Sequence, residues 1–154
     1  MIAVVQRVRR ATVTVADRIA GHIDAGVVAL VAIERDDAEN QVKWMAEKLV
    51  RMRIFRSSDG EKHFDLDVTQ IEGAGILLVS NFTVAAATSK GRRPSLDAAA
   101  APERGKVVFD QLVEAVKLLH PRVATGEFGA DMLVSLENDG PVTFILQTDQ
   151  PTNP

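Results

Sequence analysis

The chain has 154 residues, 46% of them apolar and 25% charged, with a net charge of −3 and a pI near 5.6. A chain of this length fits one domain able to bury roughly 68–70% of its unfolded surface. The absence of cysteine excludes disulfides, thiol nucleophiles and thiolate metal sites, and no apolar run approaches the ~18 residues of a membrane span.

The slightly acidic balance argues against a broad nucleic-acid surface, DNA included. Positive charge is local, in QRVRR (Arg7, Arg9, Arg10), RMRIFR (Arg51, Arg53, Arg56) and SKGRRPS (Lys90, Arg92, Arg93), each of which reads equally as a solvated face. The opening MIAVVQRVRR places arginines where an export signal needs an apolar core, so a cytoplasmic protein is expected.

In chain order, IAVVQRV (2–8) and ATVTVAD (11–17) predict two strands, the second alternating Val13 and Val15 with Thr12 and Thr14. GVVALVAI (26–33) is a continuous apolar run, the pattern of a strand buried on both faces. Asp36 followed by Glu39 resembles a capping box opening a helix. Val42, Met45, Ala46, Leu49 and Met52 then recur at helical spacing. RIF (53–55) and GILLVSNFTV (75–84) predict further strands, the first closed by a turn at SSDGEK. Pro102 suits the first turn of a helix over roughly 102–119, with Val108, Leu112, Ala115 and Leu119 on one face.

HPRVATGEFG breaks that helix. Two apolar runs, Met132–Leu136 and Val142–Leu146, then flank ENDGPVT and predict a closing hairpin, because Gly140 takes positive φ without a Cβ clash. Pro141 removes a ladder N–H and restricts Gly140, which stiffens the turn. Strands outnumber helices by about three to one, so the predicted fold is α/β, with curved, barrel-like β-sheets and two helices packed outside. A single domain over 1–148 and a flexible tail over 149–154 are expected.

The usual catalytic constellations are missing from the sequence. His22, His63 and His120 lie far apart with no metal-ligand spacing, and there is no phosphate loop, nucleophile elbow or dinucleotide fingerprint. An enzyme with this sequence works without conventional acid–base side chains. What remains are four stretches rich in hydroxyls, amides and glycine: SNFT (80–83), GRRPS (91–95), TGEFGADM (125–132) and NDGPVT (138–143).

Together and in this order, these stretches resemble the D-aminoacyl-tRNA deacylase family, a likeness that runs from the first residues to about Gln147. The resemblance implies a homodimeric hydrolase, with no cofactor or metal, that cuts the ester between a D-amino acid and the terminal adenosine of tRNA. It implies a cis Gly140-Pro141 that reaches into the partner subunit's site as a backbone wall, braced by Arg7. Such a wall rejects an L-side chain by collision, while glycine passes.

By the same resemblance Ser80, Asn81, Phe82 and Thr83 line the scissile ester, where backbone N–H groups would stabilise an oxyanion. Thr83 carries the hydroxyl that could serve as nucleophile, but no base is visible to activate it; positioning is the favoured role, with water as nucleophile and the substrate's 2′-hydroxyl assisting. Phe128 and Met132 are implied to enclose the terminal adenine, and Lys90, Arg92 and Arg93 to lie near acceptor phosphates. The chain departs from the family pattern at Asn81, where glutamine is usual, at VAAA (84–87) and at EKHFDLDV (61–68). Two alternatives stay open: a dimeric tRNA-binding module without catalysis, and a relative clearing misplaced L-alanine or glycine with a trans Gly-Pro.

Overall fold

The computed structural model describes residues 1–148, so the expected flexible tail lies outside the described residues. The amino-terminal segment forms one strand rather than two. β1 (Ile2–Val15) runs unbroken through the exposed Arg9 and Arg10, with the backbone paired on both sides of them, over Ile2–Val8 and over Ala11–Val15. It serves two cores in succession: Ala3 and Val5 enter one, and Val8, Ala11 and Val13 enter the other. The polar residues between mark that change of core and not a strand end.

β2 (Arg18–Ile23), which the sequence reading does not single out, pairs antiparallel with the second half of β1. β3 (Gly26–Ala32) pairs antiparallel with the first half, so β2 and β3 share one edge of β1. β4 (Gly75–Ser80) runs parallel to β3, and β5 (Val123–Thr125) parallel to β4. The last strand, β6 (Met132–Gln147), lies along the other edge of β1 for nearly its whole length.

The sheet curls until β2 meets β5. A Cβ on Gly21 would stand 2.3 Å from the Thr125 carbonyl oxygen, so only glycine allows the two strands this close. The result is the mixed, nearly closed, barrel-like sheet that the strand count anticipates.

Two helices cover one face. α2 (Pro102–Leu119) starts on its proline, as the sequence indicates. α1 (Glu39–Arg51) is capped at Ala38 instead of Asp36, and the Gln41 side chain accepts the Ala38 N–H at 3.1 Å. Val42, Met45, Leu49, Val108, Leu112 and Val116 pack with Val5, Val27, Ala29, Ile76 and Leu78 as one core. On the opposite face Val28, Leu77 and Val79 join Val8, Val13 and Ile23. β3 and β4 are therefore buried on both sides, which is why they read as unbroken apolar runs.

The Met1 α-ammonium is buried and donates to Glu34 Oε2 at 2.8 Å, Asp37 Oδ1 at 2.6 Å and Thr148 Oγ1 at 2.8 Å. Burial pushes the Asp37 carboxyl above its ordinary pKa, against the opposing pull of the ammonium. No helix among the described residues is long and apolar enough to cross a membrane.

Three expected elements change. RIF forms no strand, only an isolated bridge between Phe55 and Leu66. GILLVSNFTV is strand only to Ser80, because the Asn81 side chain accepts the Thr83 N–H and starts a 3₁₀ turn over Phe82–Ala85. ENDGPVT is not a hairpin. The chain does not reverse there; both flanking runs belong to β6 and pair antiparallel with β1. Val8 pairs with Asn138 and Gln6 with Thr143, so four residues, Asp139 to Val142, bulge out opposite the single residue Arg7.

Candidate active site

A cavity of about 740 Å³ opens on the curved sheet at the carboxyl ends of β3 and β4. Leu30, Val79, Val134 and Leu136 form its apolar floor, and Leu96, Ala99, Ala100, Pro102 and Gly105 form a wall of irregular chain and first helical turn. The cavity gathers five of the residues named from sequence: Ser80, Asn81, Phe82, Phe128 and Met132.

Polar groups concentrate at the Ser80 end. The Asn81 N–H donates to the Val31 carbonyl at 2.8 Å, and the Val84 N–H donates to the Asn81 carbonyl at 3.2 Å. The Asn81 Oδ1 accepts from both the N–H and the hydroxyl of Thr83, at 3.2 and 2.5 Å. Three donors here have no partner among the described residues: the Phe82 N–H, the Ser80 hydroxyl and the Asn81 Nδ2. They mark the point where an ester oxygen could be held. Thr83 itself is exposed and not part of the cavity lining, and its hydroxyl proton points at an amide oxygen, which is no base.

The other end is aromatic and thioether. Phe128 rests on α2 where Gly105 has no side chain; a Cβ there would lie 3.4 Å from the Phe128 ring. Phe109 supports the ring from below, centroid to centroid 6.0 Å. Met132 lies against Gly126, whose missing Cβ would fall 2.6 Å from the sulfur. Phe82, 58% exposed, stands at the rim.

Lys90, Arg92 and Arg93 are exposed in a loop closed by the Ala87–Ser95 bridge, and none has an ion-pair partner among the described residues. The next residue, Leu96, lines the cavity, so the cationic loop runs directly into its wall along the chain. His22 sits on β2, His63 in the loop after residue 56 and His120 at the end of α2. Among the described residues no group of three or more His, Asp or Glu could hold a metal ion.

Gly140 and Pro141 stand apart from this cavity. Their peptide bond is cis, and both residues are exposed at the crest of the β6 bulge. Gly140 lies four positions beyond Leu136, the last β6 residue that lines the cavity. The bulge is held from below. Buried Arg7 donates from Nε to the Asp139 carbonyl at 3.1 Å, lies 3.1 Å from the Asp139 carboxylate, and donates from Nη1 to the Ile54 carbonyl at 2.6 Å.

Asn138, not singled out from sequence, closes the bulge like a backbone rung. Its Oδ1 accepts the Val142 N–H at 2.7 Å and its Nδ2 donates to the Val142 carbonyl at 3.0 Å. An Asn directly before Asp-Gly-Pro is the residue type that makes such local bonds, so the signal was present in NDGP.

The family model described as D-Tyr-tRNA(Tyr) deacylase matches residues 4–147. A D-aminoacyl-tRNA deacylase of Paraburkholderia phytofirmans is 53% identical over 153 residues, covering 97% of this chain and 99% of the relative. One of Methylococcus capsulatus is 52% identical over 147 residues, covering 96% and 94%. Among solved structures, the c-Myc DNA Unwinding Element Binding Protein superposes with a TM-score of 0.91 at 33% identity, covering 97% of this chain and 99% of that one. A probable eukaryotic D-amino acid tRNA deacylase shares the fold at 16% identity, with a TM-score of 0.82 over 94% of this chain and 97% of its own. With a family model spanning nearly its whole length and relatives at half identity, the chain belongs to the D-Tyr-tRNA(Tyr) deacylase family.

Proposed function

We propose that the protein hydrolyses D-aminoacyl-tRNA, and glycyl-tRNA with it, in a site that two copies of the chain complete together. The observation that carries this reading is the cavity itself. Its aromatic and thioether end suits a terminal adenine, and its Ser80 end holds an uncommitted N–H and hydroxyl where a developing oxyanion needs donors.

The terminal adenosine sits against Phe128 and Met132, and the ester carbonyl lies toward the Phe82 N–H and the Ser80 hydroxyl. Water attacks the carbonyl carbon, and the acyl C–O bond to the adenosine 3′-oxygen breaks. The proton given up by water passes, with the help of the substrate's own 2′-hydroxyl, to that departing oxygen, which frees the amino acid and the tRNA. Thr83 shapes the turn that aims the Phe82 N–H and takes no covalent part. Lys90, Arg92 and Arg93 meet acceptor phosphates at the mouth, few enough in number for a protein of net negative charge.

Selection against L-amino acids requires a wall where an L-side chain would project. The bulge at Gly140 and Pro141 supplies backbone at an exposed crest that takes no part in the lining of its own cavity. In a two-fold dimer each crest serves the partner's cavity. Every tenfold of rejection takes about 1.4 kcal/mol, which collision with a braced turn supplies several times over. Glycine has no side chain to meet the wall, so its ester is cut.

The test is single-turnover hydrolysis of D-tyrosyl-, L-tyrosyl- and glycyl-tRNA side by side, with a chelator present. Loss of the D- and glycyl esters with the L-ester intact supports the reading. Hydrolysis of none, with tRNA still bound, favours a binding module instead.

A further inference from the structure

The cavity wall at residues 96–105 belongs to no strand, so its position depends on what holds it. Its backbone is tied to the end of β3: the Ala100 N–H donates to the Ile33 carbonyl at 2.9 Å and the Arg35 N–H to the Ala98 carbonyl at 3.0 Å. Residues 33–37 are in turn fixed by Asp37, 1% exposed and not itself part of the cavity lining.

One oxygen of the Asp37 carboxylate accepts the Glu34 N–H at 2.7 Å, and the other accepts the Met1 ammonium at 2.6 Å. Its carbonyl accepts from Arg104 Nη2 at 2.8 Å. Asp37 thus grips the wall at both ends, through Glu34 at the strand and through Arg104 in the first turn of α2. Arg104 neighbours Gly105, the seat of the Phe128 ring.

We propose that Asp37 and Arg104 are positioning residues that set the Phe128 wall, and through it the affinity for the terminal nucleoside and not the rate of ester cleavage. This rests on the deacylase reading for its substrate. Loosening the wall weakens substrate and transition state alike, because the wall lies away from the ester; such a loss raises KM and leaves kcat unchanged.

The experiment compares wild type, Arg104→Ala and Arg104→Lys in D-tyrosyl-tRNA hydrolysis and in amide hydrogen exchange of the free protein. Arg104→Ala is expected to raise KM on the order of tenfold with kcat unchanged, and to speed exchange at the Ala100 amide. Arg104→Lys, which still reaches a carbonyl, recovers part of both. The salt dependence of KM stays that of wild type, since no phosphate contact is lost.

A lower melting temperature with unchanged KM, or a fall in kcat at unchanged KM, overturns the proposal. So does a flattened salt dependence, which would make Arg104 a phosphate ligand. If wild type cleaves no D-ester, the deacylase reading fails by itself, and unchanged Ala100 exchange in Arg104→Ala would still overturn the positioning role.

Discussion

Arg7 lies opposite the four-residue bulge of β6 and donates to the carbonyl of Asp139, the residue just before Gly140. One buried guanidinium thereby links the Ile54 carbonyl of the interior to the exposed crest. The crest is rigid because its supports come from three directions: Arg7 below, Asn138 beside it and the pyrrolidine ring of Pro141 within it.

Replacing Arg7 by Lys keeps the charge but not the fork, so an ammonium cannot hold Ile54 and Asp139 together. Arg7→Lys should cost about 1–3 kcal/mol, the range for a buried acceptor left unpaired. Urea denaturation reads that loss. The same variant should hydrolyse L-tyrosyl-tRNA measurably faster than wild type, since a loosened crest yields to the L-side chain.

Asn138→Asp preserves shape and removes the donors that reach the Val142 carbonyl and the Thr143 hydroxyl. It also adds a negative charge beside a carbonyl and next to Asp139. A destabilisation of about 1–3 kcal/mol is expected, with D-ester turnover reduced. Asn138→Asp melting at the wild-type temperature with full selectivity would remove Asn138 from the account.

Thr83→Ala separates the two roles open to that hydroxyl. Because its proton is given to Asn81 Oδ1 and no base is nearby, the expected fall in kcat is about tenfold or less, against roughly 10⁶ for loss of a true nucleophile in an activated site. Pre-steady-state kinetics of the variant decide it.

Gly126→Ala tests the thioether end. The new methyl would meet the Met132 sulfur at 2.6 Å, and a flexible side chain can swing away. Thermal stability should change little, while displaced sulfur in the cavity raises KM for D-tyrosyl-tRNA on the order of severalfold. A melting temperature far below wild type would show that Met132 cannot yield.

The sequence reveals the fold class through runs whose periodicity matches their burial, as in GVVALVAI and the face of α2. It misplaces the ends of elements decided by tertiary contacts. Nothing local distinguishes a hairpin at NDGP from a bulge; pairing of both flanks with β1 decides it. Likewise RIF has strand composition but no neighbour beyond a single bridge, and β2 escapes notice because Ala20, Gly21 and His22 carry no strong alternation. Of the residues the motif letters single out, Ser80, Asn81, Phe82, Phe128 and Met132 line the cavity. The wall at 96–105 and its ties to Asp37 arise from residues distant in sequence, which no motif connects.

The proposal that two subunits complete each site is tested most directly by mixing two damaged subunits. Gly140→Ala places a Cβ 2.6 Å from Val142 Cγ2 at a φ of +137° and distorts the crest; a chain carrying both Phe128→Ala and Met132→Ala loses the nucleoside end of the cavity. Each variant alone should be impaired in selective D-tyrosyl-tRNA hydrolysis. In the mixed dimer one intact cavity meets one intact crest, so roughly half of wild-type selective activity should return, one site of two in a two-fold pair. No recovery in the mixed dimer, with dimers shown to exchange subunits, would contradict a site completed across subunits.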